Sequence, residues 1–247
     1  MLESPIPIAD SIKWQEVWQV PIKESGEKLI PASYMPDKIL CRPQYFIQGI
    51  NGAIPECFLR EGAFVALCKA AGSLPKGYRL VIFDAWRPFK VQQDLFLRYS
   101  EEIKRNSINQ EEDDETIFKL ASRFVSPPKN DPGKVSPHMT GGAVDIGLVD
   151  ECGLLCPMGA EFDETSERSV THYFEKKLKN GELMPEEKRY LCNRRMLYNA
   201  MVESNFTNYA DEWWHYDYGN QNWAAVKGEN FAPYGRISPE LRWARFD

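Results

Sequence analysis

The stretch of residues 136–148 constrains the fold of this chain more than any other part of the sequence. In its second half, aliphatic residues alternate with small residues and with Asp145, which is the pattern of a β-strand that buries one face in the core. The small neighbours leave open space beside the aspartate for a metal or a ligand. Gly141 and Gly142 precede the strand and permit a tight turn, so we expect His138 to fold back over it.

The composition favours one large globular domain that acts on a small partner. The chain has 247 residues, of which 43% are hydrophobic and 13% aromatic, and this is enough for a substantial core. Because no linker rich in Ser, Gly or Pro and no repeat divides it, we expect a single domain over residues 1–247. The net charge of -6, without a basic stripe, argues against binding to nucleic acid.

The sequence predicts a cytoplasmic protein without membrane contact. Its first residues lack the basic region and apolar run of a signal peptide, and no stretch approaches the roughly 20 apolar residues that span a bilayer. We therefore expect the six cysteines to be reduced thiols. Cys152 and Cys156 have a spacing that suits a metal pair, but no matching second pair exists, which disfavours a structural zinc there.

Three local patterns organise the first third of the chain. Alternating polar, β-branched and aromatic residues predict an early strand over residues 12–22, ended by Pro21. Residues 45–52 resemble a short strand that leads into a turn. Apolar residues at helical spacing then predict a helix over residues 59–71, with Gly72 as its stop signal.

Arg87 lies at a junction between two predicted elements. The apolar run over residues 79–84 predicts a buried strand, and Pro88 suits the first turn of a following helix. The arginine is therefore placed where a rigid backbone can hold its charged guanidinium in position. A simple salt bridge with Asp84 explains this arginine equally well.

Helical patterns recur in the second half of the chain. Apolar spacing predicts helices over residues 117–125 and 185–205, and the acidic stretch over residues 101–115 is typical of a solvated helix end and loop. His172 falls in a region that also looks helical. Because no residues with ligand spacing surround His172, we expect it to be structural.

The segment over residues 208–219 is dense in aromatic residues and predicts a strand. In a regular strand, Trp213, His215 and Asp217 share one face, and Glu212 points to the other. Glu212 and His215 can therefore reach one metal centre only if the backbone bends. We predict a bend near Glu212.

Two histidines and one aspartate form a candidate set of zinc ligands: His138, Asp145 and His215. Such a set leaves a fourth position for water, as in catalytic zinc sites, and zinc lowers the pKa of that water to roughly 7. Glu212 could take the proton of the water, and Arg87 could offset negative charge on a tetrahedral intermediate. These groups predict amide hydrolysis.

Three motifs follow one another along the chain: Asp84-Ala85-Trp86-Arg87-Pro88, then Ser136-x-His138-x-x-Gly141-x-Ala143-x-Asp145, then Glu212-x-Trp214-His215. The second and third resemble the paired signature of the D-alanyl-D-alanine metallopeptidases. The first resembles the arginine motif of their VanX-type dipeptidase branch. The resemblance runs from Tyr45 to Tyr218 and includes Leu59-Arg60-Glu61.

The resemblance assigns a role to each member of the candidate site. It implies one zinc ion per chain, bound by His138, Asp145 and His215. It also implies that Glu212 is the catalytic base and that Arg87 stabilises the transition state.

The resemblance further implies that the substrate is a free dipeptide, whose amino group needs a carboxylate partner. Asp163 resembles the amine-binding acid of the family, although Glu161 and Glu164 are close enough to leave the choice open. Ser136 resembles a substrate-contacting hydroxyl, and a turn-stabilising serine is the alternative.

We therefore expect an α+β domain whose antiparallel sheet carries the zinc site and is flanked by helices, as in hedgehog and D,D-peptidase domains. The expected function is zinc-dependent hydrolysis of D-alanyl-D-alanine to two D-alanines. One alternative is a D,D-carboxypeptidase or peptidoglycan endopeptidase of the same clan, which the missing export signal disfavours. The other is a non-catalytic zinc-binding interaction module, which the presence of both Glu212 and Arg87 disfavours. The sequence does not specify an oligomeric state.

Overall fold

Seven strands build the two sheets of the computed structural model, which describes residues 2–106, 113–122, 127 and 131–239. In chain order the strands are β1 (Leu29–Pro31), β2 (Ile39–Cys41), β3 (Phe58–Arg60), β4 (Arg79–Asp84), β5 (Ala143–Val149), β6 (Thr207–Asn208) and β7 (His215–Asp217). The larger sheet has the order β2-β4-β5-β7-β6, and β1 pairs with β3 in the smaller sheet. All pairs are antiparallel except β2 with β4, which are parallel.

Eight helices flank the sheets within the described residues. They are α1 (Trp14–Val17), α2 (Gln44–Ile47), α3 (Glu61–Ser73), α4 (Phe89–Asn106), α5 (Asp114–Ala121), α6 (Tyr173–Lys179), α7 (Lys188–Glu203) and α8 (Gln221–Lys227). This arrangement confirms the predicted α+β class, with an antiparallel sheet centre and one parallel edge pair.

The core lies between the sheet and the two helices α3 and α7. Helix α3 buries Ala63, Leu67 and Ala70, which recur at the spacing of one helix face. Helix α7 packs against it, and both contribute to the cluster that contains Ile82 of β4 and Ile146 of β5. Every residue of β5 is buried, so its position in the sheet is fixed on both faces.

Several predicted elements are confirmed. Strand β4 has the predicted bounds, and the helix expected after Pro88 is α4. The helix predicted over residues 185–205 begins as a 3-10 turn at Pro185–Glu187 and continues as α7. Residues 107–112 of the acidic stretch and residues 123–125 of the helix predicted over residues 117–125 lie outside the described residues.

The strand predicted over residues 12–22 is wrong. This segment contains the short helix α1, and only Ile22 forms a β-bridge, with Ala232. The side chains of Trp14 and Trp18 stack with ring centroids 5.8 Å apart, which is the contact expected of residues four apart on a helix. The aromatic residues of this segment therefore stack along a helix and do not pair in a strand.

The strand predicted over residues 45–52 is also wrong. Pro43 precedes helix α2 as its N-cap, and the chain turns at Gly49. Tyr45 packs with Ile50 and Val91 in a small apolar cluster between α2 and α4. A local turn that brings Tyr45 and Ile50 to one cluster imitates the apolar pattern of a strand.

None of the helices in the described part of the chain combines the length and apolar composition that crossing a lipid bilayer requires. His172 lies at the N-terminus of α6 and is buried there, outside the candidate ligand set. The division into one domain over residues 1–247 stays a prediction.

Candidate metal centre

The pairing of three strands brings two of the candidate ligands side by side. Asp145 of β5 is the register partner of Asp84 on β4 and of His215 on β7. The register between β4 and β5 shifts after Ile82, so that the two aspartates face each other. The sheet therefore sets a row of three polar side chains across β4, β5 and β7.

His138 reaches this row from the 3-10 turn of Pro137–Thr140, which immediately precedes β5. The turn ends at Gly141 with a φ of 70°, in the left-handed region that glycine adopts without strain. Gly142 follows, where an added Cβ would lie 2.2 Å from the carbonyl oxygen of Tyr218. Both glycines are therefore required, as the tight turn predicted from the sequence implies.

The candidate ligand atoms of His138, Asp145 and His215 converge on one point, which we call the metal point. His138 Nε2 lies 3.2 Å from His215 Nδ1. Asp145 Oδ1 lies 3.0 Å from His215 Nδ1, and Asp145 Oδ2 lies 3.4 Å from His138 Nε2. Zinc–nitrogen bonds of about 2.0–2.1 Å at tetrahedral angles separate ligand atoms by about 3.3 Å. The donor set and its spacing therefore fit a tetrahedral zinc site.

Hydrogen bonds on the outer side of each imidazole orient the lone pairs toward that point. His138 Nδ1–H donates to the carbonyl oxygen of Ala85 at 2.8 Å, which leaves Nε2 as the inward acceptor. His215 Nε2–H donates to Asp217 Oδ1 at 3.2 Å, which leaves Nδ1 as the inward acceptor. Such outer contacts fix the tautomer and raise the basicity of a metal-binding histidine.

Asp217 is a site residue that the sequence analysis did not identify. It is 2% exposed and receives hydrogen bonds from Asn220 Nδ2 at 2.5 Å and from Asn222 Nδ2 at 3.2 Å. These bonds hold the carboxylate against His215. The available signal was the strand alternation, which already placed Asp217 on the face of His215.

Arg87 is held by four acceptors at the edge of the site. Its Nε donates to Asp84 Oδ2 at 2.8 Å and its Nη1 donates to Gln92 Oε1 at 2.7 Å. Its Nη2 lies 3.3 Å from both Asp145 Oδ2 and the hydroxyl of Tyr45. The salt bridge with Asp84 is therefore real, and it also fixes the guanidinium beside a candidate metal ligand.

Glu212 lies beside the metal point because the chain bends where the sequence analysis predicted a bend. Residues between β6 and β7 form a turn in which Glu212 N–H donates to the carbonyl oxygen of Tyr209 at 3.1 Å. This turn places Glu212 Oε2 3.9 Å from His215 Nδ1. A straight strand would have pointed the two side chains apart.

Burial and neighbouring charges shift the pKa values of two side chains at the centre. Burial alone would lower the pKa of His215, but Asp217 and Asp145 raise it. Burial and the nearby Asp145 carboxylate together raise the pKa of Glu212 to about 8, against the opposing effect of His215. A divalent cation would return Glu212 to its charged form, since a nearby cation favours a carboxylate.

The ligands and Glu212 open into a cavity of about 570 Å³. Asp163 and Ser136 both line this cavity, whereas Glu161 and Glu164 line a separate one. The hydroxyl of Tyr45 donates to Asp163 Oδ2 at 2.9 Å. Of the three acids left open by the sequence, Asp163 is thus the one that shares a cavity with the candidate metal ligands.

A buried arginine outside the cavity fixes the turn that carries His138. Arg60 Nε donates to the carbonyl oxygen of Thr140 at 2.9 Å, and Nη2 donates to that of Gly235 at 3.0 Å. The two terminal nitrogens also contact the two carboxylate oxygens of Glu24 at 2.8 Å and 2.9 Å. We call this set of contacts the Arg60 clamp; the sequence analysis did not assign it a role.

Comparisons with known proteins agree with this geometry. Residues 52–232 match the peptidase family described as D-Ala-D-Ala dipeptidase. The chain is 32% identical over 235 residues to a D-alanyl-D-alanine dipeptidase of Synechocystis sp., covering 88% of this chain and 95% of the relative. It is 30% identical over 162 residues to the D-alanyl-D-alanine dipeptidase of Escherichia coli, covering 65% of this chain and 66% of the relative.

A solved structure of a vancomycin-resistance D,D-pentapeptidase, VanY, in complex with Zn(II) is 16% identical and superimposes with a TM-score of 0.39, covering 72% of this chain and 82% of that chain. The family assignment rests on the sequence matches, which extend over most of the chain. This chain belongs to the D-Ala-D-Ala dipeptidase family of metallopeptidases.

Proposed function

We propose that this chain hydrolyses the dipeptide D-Ala-D-Ala to two molecules of D-alanine and that the reaction depends on zinc. The observation that carries the proposal is the convergence of His138, Asp145 and His215, with ligand atoms 3.0–3.4 Å apart and Glu212 beside them. When bound by these residues, zinc supplies the Lewis acidity that makes water nucleophilic near neutral pH.

Glu212 and Arg87 act on the reacting atoms in this proposal. The Glu212 carboxylate accepts the proton of the attacking water and passes it to the nitrogen of the leaving D-alanine. The Nη2 of Arg87, 3.3 Å from Asp145 Oδ2, stabilises the negative charge that develops on the peptide carbonyl oxygen. Its other contacts, with Asp84 and Gln92, hold the guanidinium in position before the substrate binds.

Asp163 and Ser136 bind the substrate in this proposal. Asp163 pairs with the free ammonium group, and the hydroxyl of Tyr45 orients its carboxylate. Asp163 has a φ of 63°, a left-handed conformation that is strained for a residue other than glycine and is concentrated at functional sites. Ser136 lines the cavity directly before the turn that carries His138, where its hydroxyl can contact the dipeptide.

The direct test is the release of D-alanine from D-Ala-D-Ala by the purified protein, with and without a chelator and with zinc restored. We expect hydrolysis that the chelator abolishes and zinc recovers. The Glu212→Gln variant should keep bound zinc but lose activity by a factor of about 100 or more, because it retains the side-chain size and removes the base. Hydrolysis that survives complete metal removal would contradict the proposal.

Two further substrates separate the alternatives. An N-acetylated D-Ala-D-Ala lacks the ammonium that Asp163 would pair, so a dipeptidase should reject it and a D,D-carboxypeptidase should cleave it. A dipeptidase should likewise reject a longer peptide ending in D-Ala-D-Ala, and a D,D-carboxypeptidase should cleave it. A non-catalytic module would bind zinc and cleave none of the three. The cytoplasmic location expected from the sequence stays a prediction.

A further inference from the structure

We propose that Trp14 and Tyr209 form the subsite that receives the side chain of the leaving, C-terminal residue of the substrate, and that Trp14 determines the specificity there. This inference rests on the proposed dipeptidase function. It gives the N-terminal segment a role in the site. Trp14 lies outside residues 52–232, which match the family, but it lines the same cavity as His138 and Glu212.

The order of the strands defines two sides of the metal point. Asp145 lies on β5, between β4 and β7. On the β4 side, Arg87 contacts Tyr45 at 3.3 Å, and Tyr45 contacts Asp163 at 2.9 Å. The proposed ammonium partner is therefore on the β4 side, and the N-terminal residue of the substrate must lie between it and the ligands.

Glu212 identifies the opposite side as the place of the leaving residue. It lies in the turn between β6 and β7, 3.9 Å from His215 Nδ1. A base that passes a proton to the leaving nitrogen must be next to that nitrogen. The C-terminal residue of the dipeptide therefore extends along the β7 and β6 side of the cavity.

Two aromatic rings cover that side. The ring of Tyr209 lies edge-on to His215, with centroids 5.9 Å apart and an interplanar angle of 77°. The ring of Trp14 follows, 6.2 Å from that of Tyr209. Both residues line the cavity, so an apolar side chain on the leaving residue could pack against the two aromatic rings.

Contacts on either side of Glu212 hold this wall in place. Ser11 Oγ–H donates to Asp211 Oδ1 at 2.6 Å, which ties the N-terminal segment to the turn that carries the base. Tyr209 N–H donates to the carbonyl oxygen of His215 at 3.1 Å. The N-terminal segment and the turn that carries Glu212 therefore form one surface, in which the ring of Trp14 contacts that of Tyr209.

The substrate class follows from this chemistry. A wall of two aromatic rings rewards an aromatic or large aliphatic side chain more than the single methyl of D-alanine, at about 1–3 kcal/mol for a well-filled pocket. The cavity of about 570 Å³ lies in the range of small-molecule sites. We infer that D-Ala-D-Phe and related dipeptides are substrates alongside D-Ala-D-Ala.

The test is a comparison of kcat/KM for D-Ala-D-Ala and D-Ala-D-Phe in four proteins: wild type, Trp14→Ala, Trp14→Phe and Ile50→Ala. Ile50 is the matched control, because it is an apolar residue that lines the same cavity in the cluster of Tyr45, on the side of the proposed ammonium partner. Zinc content and melting temperature are measured for each protein.

We expect Trp14→Ala to lower kcat/KM for D-Ala-D-Phe about 10- to 100-fold and that for D-Ala-D-Ala less than about threefold. Trp14→Phe should retain most of the preference, and it keeps the test open if Trp14→Ala fails to fold. Ile50→Ala should change both substrates by the same factor.

The outcomes separate the subsite from the proposed function. If the wild type cleaves D-Ala-D-Ala but Trp14→Ala lowers both substrates equally, the subsite is wrong and the dipeptidase function stands. The subsite is also wrong if Ile50→Ala shifts the preference as much as Trp14→Ala does. A zinc-loaded wild type that cleaves neither dipeptide refutes the proposed function, and the subsite with it.

Discussion

Replacement of Arg60 by methionine tests whether the Arg60 clamp positions the metal centre from outside the cavity. The side chain of Arg60 is 1% exposed, and methionine fills a similar volume without hydrogen-bond donors. The variant leaves the carbonyl oxygens of Thr140 and Gly235 buried without their donor, and it also removes a partly buried bond to the carbonyl oxygen of Glu27. Each unsatisfied buried acceptor costs about 1–3 kcal/mol, so the two cost about 2–6 kcal/mol.

The loss of the Glu24 contact adds less to this cost than a fully buried ion pair would. The side chain of Glu24 is 43% exposed, so water can solvate its carboxylate once Arg60 is gone. We therefore expect a loss of about 3–6 kcal/mol in the free energy of unfolding, mainly from the two carbonyl groups. This is a large share of the 5–15 kcal/mol that is typical of a folded domain.

Urea unfolding and zinc titration are the two assays. Because Thr140 ends the turn that carries His138, zinc affinity should also weaken about 10- to 100-fold, as when an outer-shell partner is removed. Glu24→Gln is the matched control, which changes the exposed partner and leaves the donors of Arg60 in place. The reasoning is refuted if Arg60→Met unfolds within about 1 kcal/mol of the wild type and binds zinc with unchanged affinity.

Three further predictions concern the surroundings of the site. Asp217→Asn removes the charge from the acceptor of His215 Nε2–H, so competition titration should show zinc binding that is about 10- to 100-fold weaker, and unchanged affinity would contradict the role assigned to Asp217. Gly142→Ala places a Cβ 2.2 Å from the carbonyl oxygen of Tyr218, so thermal unfolding should show a loss of about 1–3 kcal/mol, and a melting temperature equal to that of the wild type would argue against this close approach. Burial raises the pKa of Glu24, but hydrogen bonds from Gly26, Arg60 and Gly235 bring the pKa below its ordinary value overall. The carboxylate therefore stabilises the fold fully above that ordinary pKa, and this contribution is lost as pH falls through the folded-state pKa. Urea unfolding below about pH 4 should thus depend less on pH in Glu24→Gln than in the wild type.

The sequence was sufficient where the pattern was local and repeated. The continuous apolar run of β4 and the alternation of residues in β5 both predict buried strands. A short apolar run is typical of a strand covered on both faces, and alternation is typical of a strand whose two faces differ. It was misleading at α1 and α2. In these short helices, stacking of Trp14 on Trp18 and packing of Tyr45 on Ile50 produce aromatic patterns that resemble those of strands.

The candidate site shows the same division. His138, Asp145 and His215 stand out in the sequence because two of only three histidines lie in short motifs with a strand aspartate or with Glu212. Their convergence depends on the strand register, in which Asp145 pairs with His215, and the sequence alone does not specify this register. Asp217 and Arg60 escaped attention because their importance comes from partners far along the chain or from through-space hydrogen bonds, and neither has a characteristic spacing.

The Arg60 clamp also has a consequence for the order of events during synthesis. It joins Glu24, near the start of the chain, to Gly235, which is translated after the last candidate ligand, His215. The turn that carries His138 can therefore gain all of its braces only after residue 235 has been synthesised. Because His138 depends on this turn, the rigid form of the metal centre is a property of the complete fold and not of a partial chain.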